Sequence, residues 1–189
     1  FDFLALRYLT IINEAQTLIN ESTAENLDIT AVPIDDKKTY KLISGGNTNG
    51  IFQLESGGMR QVLTGLKPSS IDDIIATIAL YRPGPMDSIP RYIERRHGRE
   101  IPKYLHPDLE PILSSTYGCS VYQEQVIEIF RSLGGYTMGQ ADNIRRAISK
   151  KKMKIIEAER KVFVYGDPQK NIPGCVANGI RESVAQSLY

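Results

Sequence analysis

The sequence predicts a mainly α fold, an irregular multi-helix domain with little or no sheet. Three observations predict it. Apolar residues recur at helical spacing through most of the chain. Two capping-box patterns, Ser70-x-x-Asp73 and Thr137-x-x-Gln140, stand directly before such stripes. No stretch alternates apolar and polar residues with the period of two that a half-buried strand requires.

The elements follow in order. Residues 4–21 read as an amphipathic helix with Leu6, Leu9, Ile12, Leu18 and Ile19 near one face. Asp35 or Asp36 caps a short helix that runs through Ile43 and stops at Gly45-Gly46. The run Gly50 to Ser56 is a strand or a helix lead-in, and Met59, Val62, Leu63 and Leu66 form the next helical stripe. Ile71, Ile74, Ile75 and Ile78 form another, ended by Pro83. Pro90 suits the first turn of a helix stopped by Gly98. Residues 100–116, punctuated by Pro102, Pro107 and Pro111, have room for one short helix. Val126, Ile127, Phe130 and Leu133 mark a helix that ends at Gly134-Gly135. Thr137 opens the next one, a further helix spans about 151 to 165, and a last one starts near 179 after the loop around Pro168 and Pro173.

Arg145-Arg146 lies on the helix that Thr137 opens. Ala141, Ile144 and Ile148 form its apolar stripe at i, i+3 and i+7. Asn143, Arg146 and Lys150 then share one stripe of this helix, and Asp142, Arg145, Ser149 and Lys152 share the next. Between Arg145 and Lys161 there are eight Lys/Arg against Glu157 and Glu159, a local net charge of +6 in a chain whose total is +1. Such a concentration suits a polyanion, either a nucleic-acid backbone or a triphosphate. The planar fork of arginine grips phosphate oxygens in pairs. A solvated basic helix face is the plainer reading of the same charges.

A second basic segment runs from Arg82 to Lys103 and includes Arg91, Arg95, Arg96 and Arg99, six Lys/Arg against Asp87, Glu94 and Glu100. Acid gathers instead near the start, at Glu21, Glu25, Asp28, Asp35 and Asp36. This segregation under a near-zero total is a footprint of nucleic-acid proteins. Tyr81, Tyr92, Tyr117 and Tyr122 interleave with the basic stretches, as stacking platforms or as core tyrosines with a wet hydroxyl.

Other chemistries find no support. Gly45-Gly46-Asn47-Thr48-Asn49-Gly50 lacks the Lys-Ser/Thr of a P-loop. Asp35-Asp36 and Asp72-Asp73 sit at helix starts, where carboxylates favour the helix dipole. Cys119 and Cys175 form no metal or redox motif with each other or with His97 and His106, so free thiols in a reducing cytosol are the simplest reading. No apolar run approaches the roughly 18 residues of a membrane span. The start lacks the pattern of a signal peptide. The first residue is Phe1 rather than Met, so a segment of a longer chain is expected. Asp2 is, on pattern alone, a lone solvated carboxylate.

Taken together, Phe1-Asp2-Phe3-Leu4-Ala5-Leu6-Arg7, Gly50-Ile51-Phe52-Gln53-Leu54-Glu55-Ser56, Ala79-Leu80-Tyr81-Arg82-Pro83-Gly84-Pro85, Arg96-His97-Gly98, Thr116-Tyr117-Gly118, Val121-Tyr122-Gln123-Glu124-Gln125-Val126, and Arg145-Arg146-Ala147 with Lys150-Lys151-Lys152 resemble, in order, the bacterial replicative DNA polymerase III alpha subunit, a C-family polymerase. Arg82-Pro83-Gly84-Pro85 favours the common alpha subunit over the Gram-positive form with an embedded proofreading domain.

The resemblance implies that residues 1–6 end the palm domain and that 7–189 are a fingers domain, cut short before the family's Phe-Asn-Lys-Ser-His segment. It matches Asp2 to the third of three palm aspartates that hold two Mg²⁺ for nucleotidyl transfer; the Asp-x-Asp pair lies outside this sequence. One aspartate cannot hold both ions, so the parent would be a DNA-directed DNA polymerase while this segment alone would be inactive and bind no cofactor. Arg145 and Arg146 match the fingers arginines that meet the triphosphate of the incoming dNTP. Arg82, Arg91, Arg95, Arg96, Lys150, Lys151 and Lys152 stand as candidates for primer–template DNA. The implied setting is a cytoplasmic, nucleoid-associated replisome with a sliding clamp and other subunits as partners, and no membrane. Two other readings stay beside it: a non-catalytic helical nucleic-acid-binding module, and a replisome interaction scaffold with merely solvated basic faces.

Overall fold

The computed structural model describes residues 5–189. Among them are ten α-helices and no strand; Asp167 and Ile172 form an isolated antiparallel bridge. No helix among the described residues is long and apolar enough to cross a membrane. The chain divides into two compact units, Phe1–Ile78 and Ala79–Tyr189.

The first unit begins with α1, Arg7–Ser22. Its apolar positions match the predicted stripe, yet none is buried: Leu9 is 63% and Leu18 64% exposed. The period of the sequence specified the helix but not a cover for its face. The core of this unit lies between α2, Lys37–Ser44, and α3, Gly57–Leu66. Asp36 caps α2 by accepting from the Lys38 and Thr39 amides. Ser56 caps α3 by accepting from Met59, so the ambiguous run from Gly50 is a turn leading into a helix. Tyr40, Ile43, Met59, Val62, Leu63 and Leu66 fill the core. The helix α4, Ile71–Leu80, contains the division between the units.

The second unit holds α5, Ile89–Arg96; α6, Glu110–Leu113; α7, Gln123–Gly134; α8, Met138–Ser149; α9, Met153–Tyr165; and α10, Glu182–Leu188. Helices α7, α8 and α9 pack around Phe130, Leu133, Tyr136, Ala141, Ile144, Phe163 and Val164. The Phe130 and Phe163 rings lie 4.8 Å apart, and Tyr136 meets Phe130 edge-on at 5.2 Å. Gly135 permits the short connection from α7 to α8, because its φ of 75° is a conformation that L side chains rarely adopt. The same connection leaves no slack between the two helices, which fixes where α8 presents its polar face.

Candidate functional site

The start of α8 is fastened twice. Thr137 and Gln140 form the predicted capping box, with Gln140 Oε1 accepting from the Thr137 amide at 2.9 Å. Gln140 Nε2 also donates to the Lys170 carbonyl at 2.8 Å. Ala141, Ile144 and Ala147 are buried, whereas Ile148 is 40% exposed, so the apolar stripe turns slightly from its predicted line. Burying that face leaves Asp142, Arg145 and Arg146 on the outer side of one rigid helix.

Asp142 joins the two arginines. Its Oδ1 accepts from Arg145 Nε at 2.9 Å and Nη2 at 2.7 Å, and its Oδ2 accepts from Arg146 Nε at 2.7 Å. The Arg145 hydrogen bonds, and then the Arg146 bond, hold the Asp142 carboxyl below the ordinary aspartate range. The arginines are not equivalent. Arg145 is 21% exposed and donates from Nη1 to Gln123 Oε1 at 2.9 Å, whereas Arg146 is 64% exposed.

Gln123 opens α7, and its position depends on a buried polar network. Gln125 is 6% exposed; its Oε1 accepts from the Val121 and Tyr122 amides at 2.8 and 2.9 Å. Its Nε2 donates to the Ile112 carbonyl at 3.1 Å and to Thr116 Oγ1 at 2.8 Å. The Thr116 hydroxyl donates onward to the Cys119 carbonyl at 2.6 Å. Buried polar groups with every partner met rigidify their surroundings. The chain Thr116–Gln125 therefore anchors the loop that delivers Gln123 to Arg145.

The lysines lie elsewhere than the sequence placed them. Helix α8 ends at Ser149, so Lys150 and Lys152 do not continue the rows of Arg146 and Arg145. Lys150 caps α8, Lys152 precedes α9, and Lys151 between them has φ 50°. All three are exposed on this turn. The helix stops because the Lys152 amide bonds back to the Ala147 carbonyl across a left-handed residue.

In the other basic segment, Arg82 and Arg91 are exposed, and Arg96 is half-buried in the last turn of α5. Arg95 is only 9% exposed: it donates to Glu100 from Nε at 2.8 Å and to the Tyr117 carbonyl from Nη1 at 3.1 Å. Arg99 forms a two-pronged pair with Glu94, both contacts at 2.7 Å. Tyr92 is 2% exposed and meets Tyr117 edge-on at 5.2 Å, a core position rather than an open stacking platform. Tyr81, Tyr117 and Tyr122 are partly buried.

The sequence profile of the bacterial DNA polymerase III alpha subunit finger domain matches residues 8–171. This chain belongs to that family. It is 46% identical over 188 residues to a DNA polymerase III subunit alpha of Staphylococcus aureus strain MRSA252, and 48% identical over 188 residues to that of Staphylococcus epidermidis strain ATCC 12228 / FDA PCI 1200. Each alignment takes in 100% of this chain and 17% of the relative, so the chain spans about one sixth of their length.

Within this finger domain, sequence reading singled out Arg145 and Arg146 but missed the roles of Asp142, Gln123 and Gln125. The Asp142 role had a visible signal, an acid three and four residues before two arginines on one helix. Gln123 lies 22 residues from Arg145, and no periodicity links them. Asp2 lies outside the described residues. Among the described residues no three His, Cys, Asp or Glu side chains form a metal-holding group, and both Asp142 oxygens already accept from arginine. The described residues therefore do not fit the two magnesium ions by themselves.

Proposed function

We propose that this finger domain binds the triphosphate of an incoming dNTP through Arg145 and Arg146 during DNA synthesis by a polymerase III alpha subunit. The observation that carries this reading is the Asp142-linked pair of guanidiniums on the outer face of α8. Two fixed cations on a rigid helix suit the charge of a transferring phosphoryl group and its leaving pyrophosphate. The lysine turn and the exposed Arg82 and Arg91 supply diffuse positive charge suited to the primer–template backbone.

The domain assignment belongs to the same proposal: residues 7–189 as fingers, residues 1–6 as the end of the palm, and Asp2 as the palm carboxylate that completes a magnesium site with an Asp-x-Asp pair. So do a cytoplasmic replisome setting with a sliding clamp and other subunits, and the expectation that the 189 residues extend no primer unaided. Robust primer extension by the purified chain would refute that last expectation.

The test of the triphosphate reading uses a full-length alpha subunit carrying this segment. Arg146→Ala and Arg145→Ala should each raise the KM for dNTP or lower kcat by about tenfold to a hundredfold, the usual weight of a charge-assisted contact. Primer–template affinity should change much less. Arginine variants that lose DNA affinity and keep normal dNTP kinetics would make α8 a DNA-backbone element instead.

A further inference from the structure

We propose that Asp142 is a positioning residue for the nucleotide, presetting both guanidiniums before the triphosphate arrives; this rests on the assignment of Arg145 and Arg146 above. Asp142 is selective in the donors it uses. It takes the Nε edge of Arg146 and leaves Nη1 and Nη2 with no hydrogen-bond partner among the described residues. That outward edge, on a side chain 64% exposed, is the one able to hold two phosphate oxygens at once. For Arg145, Asp142 takes Nε and one Nη2 proton while Gln123 takes Nη1, so this guanidinium is held from two helices and has fewer protons left to give. The geometry divides the labour: Arg146 grips, and Arg145 is a fixed neighbouring charge.

Two effects make the carboxylate necessary. Adjacent guanidiniums repel, and an anion between them offsets that repulsion. A long arginine side chain in solvent samples many rotamers, and anchoring its Nε edge removes that freedom before binding rather than during it. A carboxylate is also a competitor for the same guanidiniums, however, and the two roles predict opposite signs. Asp142→Asn is nearly isosteric and adds one unit of positive charge to the site. If Asp142 merely competed, the Asn variant would bind the triphosphate more tightly. If Asp142 only stabilised α8 as a surface ion pair, melting would shift and nucleotide kinetics would not.

The experiment is steady-state dNTP titration at saturating primer–template, in a full-length alpha subunit carrying this segment. The variants are Asp142→Asn, Asp142→Glu, Arg145→Ala, Arg146→Ala, and Arg146→Ala combined with Asp142→Asn. Primer–template affinity and thermal melting are measured alongside. Asp142→Asn should raise the KM for dNTP by roughly tenfold, with kcat moving less and primer–template affinity holding, despite the added positive charge. Asp142→Glu, which restores a carboxylate on the same helix face, should recover part of that loss even if both variants melt lower. The double variant should be no worse than Arg146→Ala by more than a small factor, because Asp142 acts mainly through the Arg146 grip and Gln123 still holds Arg145. An unchanged or lowered KM in Asp142→Asn, with Arg146→Ala still impaired, overturns the positioning role and leaves the triphosphate reading standing. Normal dNTP kinetics in Arg146→Ala and Arg145→Ala overturn the triphosphate reading itself.

Discussion

Tyr136 donates its hydroxyl to Glu159 Oε1 at 2.9 Å, joining the connection between α7 and α8 to the middle of α9. Glu159 is 7% exposed, and its other oxygen takes Lys170 Nζ at 3.3 Å. Lys170 is also the residue whose carbonyl receives Gln140 from the first turn of α8. One buried carboxylate thus ties the start of α8 to α9 and to the segment after it, in the helix pair that carries the arginines and the lysine turn. Local sequence sets the capping box, and this long-range contact, with the short connection at Gly135, helps to aim α8.

Tyr136→Phe should therefore lower the unfolding free energy by about 1.5–3 kcal/mol, because it keeps the ring packing and strips a nearly buried carboxylate of one donor. Urea denaturation measures it. A change below about 0.5 kcal/mol would mean that water replaces the hydroxyl at Glu159, and that the contact does not aim the helix.

Alkaline pH should weaken the fold before it affects surface charge pairs. Burial pushes the Cys175 thiol up to about 12, and burial likewise raises Cys119 and Tyr136, the latter helped by its bond to Glu159. These groups stay protonated in the folded chain at a pH where the unfolded chain has released its protons. The contribution of the thiols is fully present below their unfolded value of about 8.5, and that of Tyr136 below its unfolded value of about 10; each is lost as pH rises from there toward the folded value. Stability should fall by up to about 1.4 kcal/mol per pH unit for each such group within its window. Urea titrations at several pH values between 8 and 11 check this, and Cys175→Ala should flatten the slope. The sign would be opposite if the thiols were exposed and activated, and thiol-reactive dye would then label the native chain readily at pH 8.

The two basic segments should separate by function when mutated. Arg95 donates inward to Glu100 and to the carbonyl of Tyr117, itself in a left-handed conformation with φ 53°. Arg95→Met should cost about 1–3 kcal/mol of stability and leave the salt dependence of DNA binding unchanged. Arg91→Ala, at an exposed position, should do the reverse, with stability nearly constant and a log–log salt slope shallower by about 0.9. If Arg95→Met flattens the salt slope while the protein stays folded, Arg95 reaches DNA and its inward contacts are incidental.

What the sequence could carry follows the range of the interaction. Thr137 with Gln140, Asp36 before α2 and Gly135 after α7 act within one turn, and the helices they delimit stand where the pattern placed them. Arg145 and Arg146 were visible because adjacent arginines on a helix need no tertiary context. Although a further helix was expected from about 151, the lysines were still aligned with the arginine rows, because Lys150-Lys151-Lys152 contains no Gly or Pro to announce the break; Lys151, with φ 50°, supplies it. Gln123 was silent because its contact with Arg145 exists only once α7 and α8 have paired. Arg95 was read as one of several alike surface cations, and composition cannot reveal that a guanidinium turns inward.

One substitution in the lysine turn should hold or raise stability while weakening DNA binding. Lys151 adopts φ 50°, a backbone state that a side chain disfavours by about 1 kcal/mol and glycine does not. Lys151→Gly should therefore keep the stability or raise it by up to about 1 kcal/mol, although it removes a long side chain. The same change deletes an exposed cation beside Lys150 and Lys152. If the turn follows the primer–template backbone, as proposed, fluorescence anisotropy on duplex DNA over a KCl series should show weaker binding. The log–log slope should be shallower by about 0.9, the share of one neutralised phosphate. The KM for dNTP should hold, since Lys151 lies beyond the end of α8 and outside the Asp142-linked pair. A stable Lys151→Gly variant with an unaltered salt slope would remove the lysine turn from the DNA surface and leave it as solvated charge.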